Sequence, residues 1–305
     1  MDGNKLEVLL RALETGSLTA AAAELGYTQS GVTHIIHAIE KEMGVPLLNR
    51  GRNGVEPTLE CEALLPRMRT LLSQEEALRQ EAAALRGVTA GEIHIGSNNS
   101  IAMYWLPAIA ARFEKAFPGV RLHMYGGDSD GMAELLAQGK LELAFLSHRP
   151  PAGDWVHLAW DPLIAVLPDE APWQGRETVS ANELSDMPYL RYTTAKEEEI
   201  REAREFLRSR GVSPTVKYES NSDYAIVSMV EQGLGVTLLP ELILSGFPQK
   251  VLRLPVVPGF SRDLGIGLRT LESASPAVRQ FILCARQTIA SGAVYVPGKR
   301  QTQAL

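Results

Sequence analysis

Cysteine is almost missing from this 305-residue chain. Cys61 and Cys284 are its only two, far apart in sequence. That excludes a disulfide scaffold and a cysteine-built metal cage. Long apolar runs are missing too. No stretch approaches the roughly 18 consecutive apolar residues of a membrane span. Met1-Asp2-Gly3-Asn4-Lys5 opens the chain without an apolar signal core, so a cytoplasmic protein with no membrane partner is expected. There is no cationic excess: 30 Lys and Arg against 36 Asp and Glu leave a net charge of −6. A protein holding nucleic acid by bulk charge alone is thereby disfavoured. His94, His123, His148 and His157 show no metal-ligand spacing along the chain, and no metal or cofactor is expected. What is present is ordinary: 45% apolar and 22% charged residues, enough for packed cores in two or three domains.

The first sixty residues read as short helices. Leu6, Leu9, Leu10 and Leu13 recur at helical spacing up to Gly16. Ser17 is a cap for an alanine-rich second helix, and Gly26-Tyr27 a turn. Thr28 caps a third helix carrying Val32, Ile35, Ile36 and Ile39, closed by Gly44. Helix, Gly-containing turn, helix is the spacing of a helix-turn-helix. Two short extended pieces around Gly51-Arg52-Asn53-Gly54 predict a β-hairpin wing. From Thr58 to Arg86 a long helix follows. Its positions 61, 64, 68, 71, 75, 78, 82 and 85 alternate in steps of three and four, and all but Glu75 are apolar. That seam predicts helix–helix association, against the plainer reading of a helix packed on its own domain. Beyond Gly91 strands and helices alternate, which predicts two doubly wound α/β units. The expected division is a winged helix-turn-helix over 1–58 and a linker or dimerisation helix over 59–87. A first effector unit is expected over 88–162 and 265–290, a second over 163–264, and a polar, disordered tail over 291–305.

The third helix carries the sharpest chemistry. Its exposed face offers Gln29, Ser30, Thr33, His34 and His37, and a recognition helix sets such N-terminal residues against base edges in the major groove. Gln pairs bidentately with adenine, and Ser or Thr with several acceptors. Arg50 and Arg52 on the wing are placed for phosphates or a minor groove. Charge argues the other way: residues 1–60 hold five Lys and Arg against eight Asp and Glu, a net of −3.

The pattern decides it. Gly16-Ser17-Leu18-Thr19-Ala20-Ala21-Ala22, Thr28-Gln29-Ser30-Gly31-Val32-Thr33 and Gly44-Val45-Pro46-Leu47-Leu48 followed by Arg50 resemble the winged helix-turn-helix of LysR-type transcriptional regulators. Gly91-Glu92-Ile93-His94-Ile95-Gly96, Phe117-Pro118-Gly119-Val120, Gly139-Lys140-Leu141-Glu142 and Gly233-Leu234-Gly235-Val236-Thr237-Leu238-Leu239-Pro240 extend the resemblance to about residue 290. It implies a non-enzymatic regulator that binds double-stranded DNA as a homodimer or homotetramer, with a periplasmic-binding-protein-like effector domain. His34 and His37 stand where the family often has Arg or Lys, which implies weaker and pH-dependent phosphate contact.

The effector site is expected at strand ends. Ser97, Asn98, Asn99 and Ser100 follow one strand, Thr193 and Thr194 another, and ligands of open α/β sheets sit outside the carboxyl ends of strands. A small ligand, with carboxylate the chemistry helix N-termini favour, fits such a cleft. The resemblance implies pocket positions at Ser97, Ser100, Ser129, Thr193 and Thr194, with Asn221 and Asp223 beside them. Two alternatives compete with this reading. Gly127-Asp128-Ser129-Asp130-Gly131 is a literal G-x-S-x-G, so a serine hydrolase using Ser129 is one. However, Asp128 and Asp130 would repel a developing oxyanion, and only His148 and His157 follow. A solute-binding protein is the other, disfavoured by the N-terminal module. A thiol sensor on Cys284 is set aside because the two cysteines fall in different domains.

Overall fold

The computed structural model describes residues 3–51, 54–84, 91–193 and 201–298. Helices α1 (Gly3–Thr15), α2 (Leu18–Leu25) and α3 (Gln29–Met43) form where the apolar spacing puts them. Ser17 Oγ accepts from the Ala20 amide and Thr28 Oγ1 from the Gly31 amide, while Gly26 and Gly44 close the two helices at φ of 71° and 74°. The inward faces meet in one core containing Leu6, Leu9, Val32, Ile36 and Ile39. Strands β1 (Leu48–Gly51) and β2 (Gly54–Pro57) pair antiparallel as the expected wing. Its tip, Arg52 and Asn53, lies outside the described residues.

Helix α4 (Leu59–Ala84) starts at Thr58, whose Oγ1 accepts from the Cys61 amide at 3.0 Å. Its apolar seam divides. Cys61, Leu64 and Met68 pack on the α1–α3 core, joined by Leu65 and Leu72. Leu71 and Leu78 face solvent. The plainer reading therefore holds for the first turns and the association seam remains only beyond them; Leu85 lies outside the described residues. Pro66 sits inside the helix without ending it.

The remainder is α/β. Strand β3 (Gly91–Asn98), helices α5 (Asn99–Tyr104) and α6 (Leu106–Ala116), strand β4 (Val120–Gly127), helix α7 (Ser129–Ala137) and strand β5 (Leu143–Leu146) come first. Helices α5 and α6 follow one another with a break at the buried Trp105, whose Nε1 donates to Tyr295 O at 2.7 Å. Strand β6 (Asp154–Pro168) then runs fifteen residues. Strand β7 (Val179–Ser180), helix α8 (Ala181–Ser185), strand β8 (Tyr189–Tyr192), helix α9 (Arg201–Ser209) and strand β9 (Val216–Ser220) follow. Helix α10 (Asp223–Glu231), strand β10 (Thr237–Pro240), helix α11 (Glu241–Leu244), strands β11 (Val251–Val257) and β12 (Ser261–Leu268) and helix α12 (Pro276–Ala290) complete the order.

The sheet is mixed rather than parallel throughout. Its order is β4-β3-β5-β12-β6-β11-β7, with β10 also on β6; β8 and β9 pair separately. β3 runs parallel to β4 and β5, but β12 runs antiparallel to β5 and β6. The reason is β6. Its first half pairs with β12, and its residues from Leu163 on pair with β10 and β11. One unbroken strand thus enters both units, and no helical crossover intervenes to set its neighbours parallel. The first unit's core holds Ile93, Trp105, Phe113, Phe145, Leu264 and Phe281; the second's holds Leu163, Trp173, Tyr189 and Phe206. The segment from Ser291 is no loose tail as far as Gly298. Val294, Tyr295 and Val296 pack on the first core, the Tyr295 hydroxyl meets Glu241, and Gly298 N donates to Glu241 Oε2.

Gly235 in the Gly233–Pro240 motif has a steric role. At φ +153° an added Cβ would lie 2.1 Å from Pro188 O, where β8 docks through the Val236 amide. Gly233, at φ +72°, has only the Glu170 side chain near it. Gly235→Ala is expected to cost more than about 3 kcal/mol, the range of a backbone clash in a core. Gly233→Ala is expected to cost about 1–2 kcal/mol, the left-handed penalty alone. Equal losses in melting experiments would contradict the docking argument.

Candidate functional site

Two surfaces carry the residues that sequence singled out. On the first, α3 presents Gln29, Ser30, His34 and His37 to solvent, with Thr33 half-buried. Gln29 opens the helix, one residue past its Thr28 cap, and the cap also touches Ser30 Oγ at 3.1 Å. Arg50 is exposed on β1, while Arg52 lies outside the described residues. Glu40, which sequence reasoning passed over, fixes these parts relative to one another. Its Oε1 accepts from the amides of Leu47 and Leu48 at 2.9 and 3.3 Å, and its Oε2 meets His37 Nδ1 at 3.1 Å. One carboxylate thus ties α3 to the base of the wing.

The second surface is a cleft of about 120 Å³ between the two α/β units. Asn98, Asn99, Ser100, Ser129 and Asp223 line it, as expected. Ser97 does not: it is fully buried and its Oγ donates to Asn98 O. Thr193 and Asn221 are not among the lining residues, and Thr194 lies outside the described residues. Ser97 and Asn98 also belong to β3 itself rather than to the loop after it.

The lining that sequence missed is charged: Asp128, Asp130, His148, Tyr192, Arg201, Glu202 and Arg262. Arg262, on β12, donates from Nε to Asp161 Oδ2 at 2.8 Å and from Nη2 to Ser100 Oγ at 3.0 Å. Its Nη1 lies 3.7 Å from Glu202 Oε1 on α9. Asp161, almost wholly buried, spends its other oxygen on the Leu242 amide. Across the cleft mouth Arg201 Nη2 contacts both oxygens of Asp130 at 3.1 Å, and His148 Nε2 meets Oδ1 at the same distance. The two units are therefore bridged by Asp130–Arg201 and Arg262–Glu202.

Among the described residues, Asn98 Nδ2 and Asp223 Oδ1 are buried in the lining without a hydrogen-bond partner. The Asn98 amide is oriented by its carbonyl oxygen, which accepts from Ile101 N and Ser100 Oγ, so the amino group is the free end. Burial pushes the Asp223 carboxyl up to about 6, with Arg262 opposing the shift. Such orphaned groups are uncommon in folded proteins and mark a place where a ligand or water completes the shell.

Ser129 does not have the setting of a nucleophile. Asp128, not Ser129, caps α7, and Ser129 Oγ accepts from Ser147 N at 3.0 Å and meets Ser147 Oγ at 3.1 Å. No histidine is bonded to it among the described residues. Both thiols are buried, Cys61 pushed up to about 11 by burial and Cys284 also raised by burial. Reactive thiolates need the opposite setting.

Comparison with known proteins agrees. Residues 4–62 match the family described as bacterial regulatory helix-turn-helix protein, lysR family, and residues 86–290 match the LysR substrate binding domain. A probable HTH-type transcriptional regulator, LrrA of Synechococcus elongatus, is 32% identical over 94% of this chain and 97% of its own. The uncharacterized regulator YvbU of Bacillus subtilis is 28% identical over 93% and 97%. Among solved structures, a full-length OxyR variant from Pseudomonas aeruginosa superposes with a TM-score of 0.75 at 20% identity, covering 95% of this chain and 94% of that one. Full-length CbnR complexed with its target DNA gives 0.61 at 20% identity, covering 94% and 100%. These relatives are regulators, and none of them favours a hydrolase.

Asp223 yields a measurable consequence. An exposed aspartate titrates near 3.9, so between about pH 4 and pH 6 the folded chain holds a proton there that the unfolded chain has lost. Stability from this group is then full below pH 4 and falls as pH rises through about 6. Urea midpoints taken from pH 4 to 7 should decline less in Asp223→Asn than in the parent. Parallel pH profiles would show that Asp223 titrates normally.

Proposed function

The chain belongs to the LysR family of bacterial transcriptional regulators, and from that premise we propose how its two surfaces are used. It is a DNA-binding regulator with a helix-turn-helix and an effector-binding domain. Gln29, Ser30 and Thr33 read base edges, while His34, His37 and Arg50, with Arg52 at the wing tip, meet the backbone or the minor groove. The exposed N-terminal turn of α3, held to the wing by Glu40, supports this assignment. The expected domain division stands as part of the proposal, except that the return to the first unit begins at β12 and its packing continues to Gly298. No helix among the described residues is long and apolar enough to cross a membrane, and a cytoplasmic site of action fits a DNA-binding regulator.

The effector sits in the cleft beside Asn98, Asn99, Ser100, Ser129 and Asp223. Ser97, Thr193 and Asn221 support its walls. The observation that carries this reading is the pair of orphaned polar atoms, Asn98 Nδ2 and Asp223 Oδ1, facing one space. They also refine the ligand. Asp130 is matched by Arg201, and Arg262 is shared between Asp161 and Glu202, so Asp128 and Asp223 leave the lining with surplus negative charge. A plain carboxylate would meet that charge. An amphoteric molecule answers both ends: its acid group takes Asn98 and Arg262, and its ammonium group takes Asp223. By bridging the units it shifts the balance between open and closed clefts, to the extent that it binds one of them better.

A thermal-shift series tests the pocket. Free amino acids should raise the melting temperature at concentrations where their deaminated acids do not. Ser100→Ala, which removes an Arg262 partner, should reduce the rise. The reverse order of ligands would overturn the amphoteric assignment.

On DNA upstream of the chain's own gene, Gln29→Ala should lose about 1–3 kcal/mol of discrimination. Arg50→Ala should weaken all sequences alike and lower the salt slope by about one. Equal losses from both across every sequence would reverse these roles. The exposed Leu71 and Leu78 of α4 pair two copies, so Leu71→Glu should lower the mass seen by light scattering and abolish operator binding. An unchanged mass would place the contact elsewhere.

A further inference from the structure

The parallel pair β3–β4, whose carboxyl ends reach the cleft at Asn98 and Gly127, also brings together residues that lie well apart in sequence. His94 and His123 are register partners, and β4 is the edge strand of the sheet. Residues two apart on a strand share a face, so Glu92, His94, His123 and Tyr125 project from one side. Ile93 and Ile95 occupy the other side and are buried in the first unit's core. The two imidazoles stack with centroids 4.5 Å apart and planes 9° apart. Glu92 Oε2 lies 3.1 Å from His123 Nε2, and the Tyr125 hydroxyl 3.1 Å from His94 Nδ1. One ligating atom from each of Glu92, His94 and His123 falls within 4.8 Å of the other two.

We propose that Glu92, His94 and His123 form a binding site for a divalent transition-metal cation of the zinc type. Two neutral imidazoles and one carboxylate are a donor set such cations accept, with the fourth position left to solvent. Metal–ligand bonds of about 2.0–2.2 Å put tetrahedral donors roughly 3.3–3.5 Å apart. The Glu92–His123 separation already lies close to that, and His94, whose ligating atom is within 4.8 Å of both, completes the set by turning its half-exposed ring out of the stack. The alternative occupant of the carboxylate is Arg121, whose Nη1 holds Glu92 Oε1 at 2.8 Å. Arg121 takes only one oxygen, however, and its side chain is largely exposed, so the second oxygen is free to turn to a cation. Tyr125 steadies the His94 ring from outside, as partners of metal-bound histidines do.

The position gives the site a reason to matter. Glu92 also lines the space between α4 and the sheet, together with Ser73, Gln74, Glu142 and Arg269. Glu142 Oε2 accepts from the His94 amide at 2.6 Å. A bound cation would stiffen β3 where the helix leading to the DNA-binding unit rests. The two thiols are buried and do not compete for metal.

The test is calorimetric titration of the untagged full-length chain with Zn²⁺, with Co²⁺ visible absorption as a reporter of coordination. One saturable equivalent per chain is expected. His123→Ala and His94→Ala should each weaken it about tenfold or more, and Tyr125→Phe about tenfold, the effect of losing an outer partner. His123→Gln, which keeps a polar contact to Glu92, provides a second variant should the alanine form misfold. Circular dichroism of each metal-free variant should match the parent. Zn²⁺ binding that is absent, or that survives replacement of both His94 and His123, overturns the site. Loss on replacing His34, His37, His148 or His157 instead would assign the metal elsewhere and overturn it equally.

Discussion

The cleft between the two α/β units depends on the guanidinium of Arg262. It lies buried at the start of β12, where the chain returns from the second unit to the first, and touches Asp161 on β6, Ser100 on α5 and Glu202 on α9. A buried cation is tolerable only when its donors are met, and removing one member of such a pair typically costs about 3–5 kcal/mol. Asp161 is equally constrained, because its other oxygen holds the Leu242 amide. The pair therefore fixes β6, β12 and the start of α11 as one frame. From the second unit, α9 meets that frame through Glu202, and its Arg201 reaches Asp130 across the cleft mouth.

The N-terminal unit was largely legible in sequence, and the cleft was not, for one physical reason. Ser17, Gly26, Thr28 and Gly44 act on backbone groups three to five residues away, so their chemistry is visible in a short window. Arg262 acts on Ser100 and Asp161, which no local pattern connects to it. The same holds for β6. Its second half reads as a buried run at Leu163–Leu167, but its first half alternates with exposed residues and looks like loop until β12 is laid beside it. Ser97 was misplaced for the opposite reason: the strand runs three residues further than its apolar stretch, which ends at Ile95, and this carries Ser97 into the interior. His94 and His123 showed no ligand spacing because register, not sequence separation, makes them neighbours.

The α4 seam shows how periodicity alone can mislead. A stripe in steps of three and four records that one face avoids water and says nothing of what covers it. Cys61, Leu64 and Met68 are covered by the chain's own helices, while Leu71 and Leu78 are not. The stripe is one signal serving two packings. The changeover falls where the α1–α3 core ends.

That division also explains how an event in the cleft can reach DNA. α4 is shared between bodies. Its first turns belong to the DNA-binding core, and farther along Arg69 Nη1 donates to Gln138 O at 3.3 Å and Gln74 Nε2 to Ser273 O at 3.4 Å. Thr70 is bonded by Arg269, which follows β12, and Arg279 on α12 lies 3.9 Å from Glu81. These contacts are polar and few, so the effector units grip the helix through bonds that can exchange rather than through a sealed apolar interface. The frame set by Arg262 includes β12, and β12 leads directly into Arg269. A change that strained β12 would thereby be delivered to the side of α4, whose first turns pack on the α1–α3 core. Coupling of this kind requires no continuous wire of side chains; it requires a stiff element with two bodies attached and unequal strain in the two states.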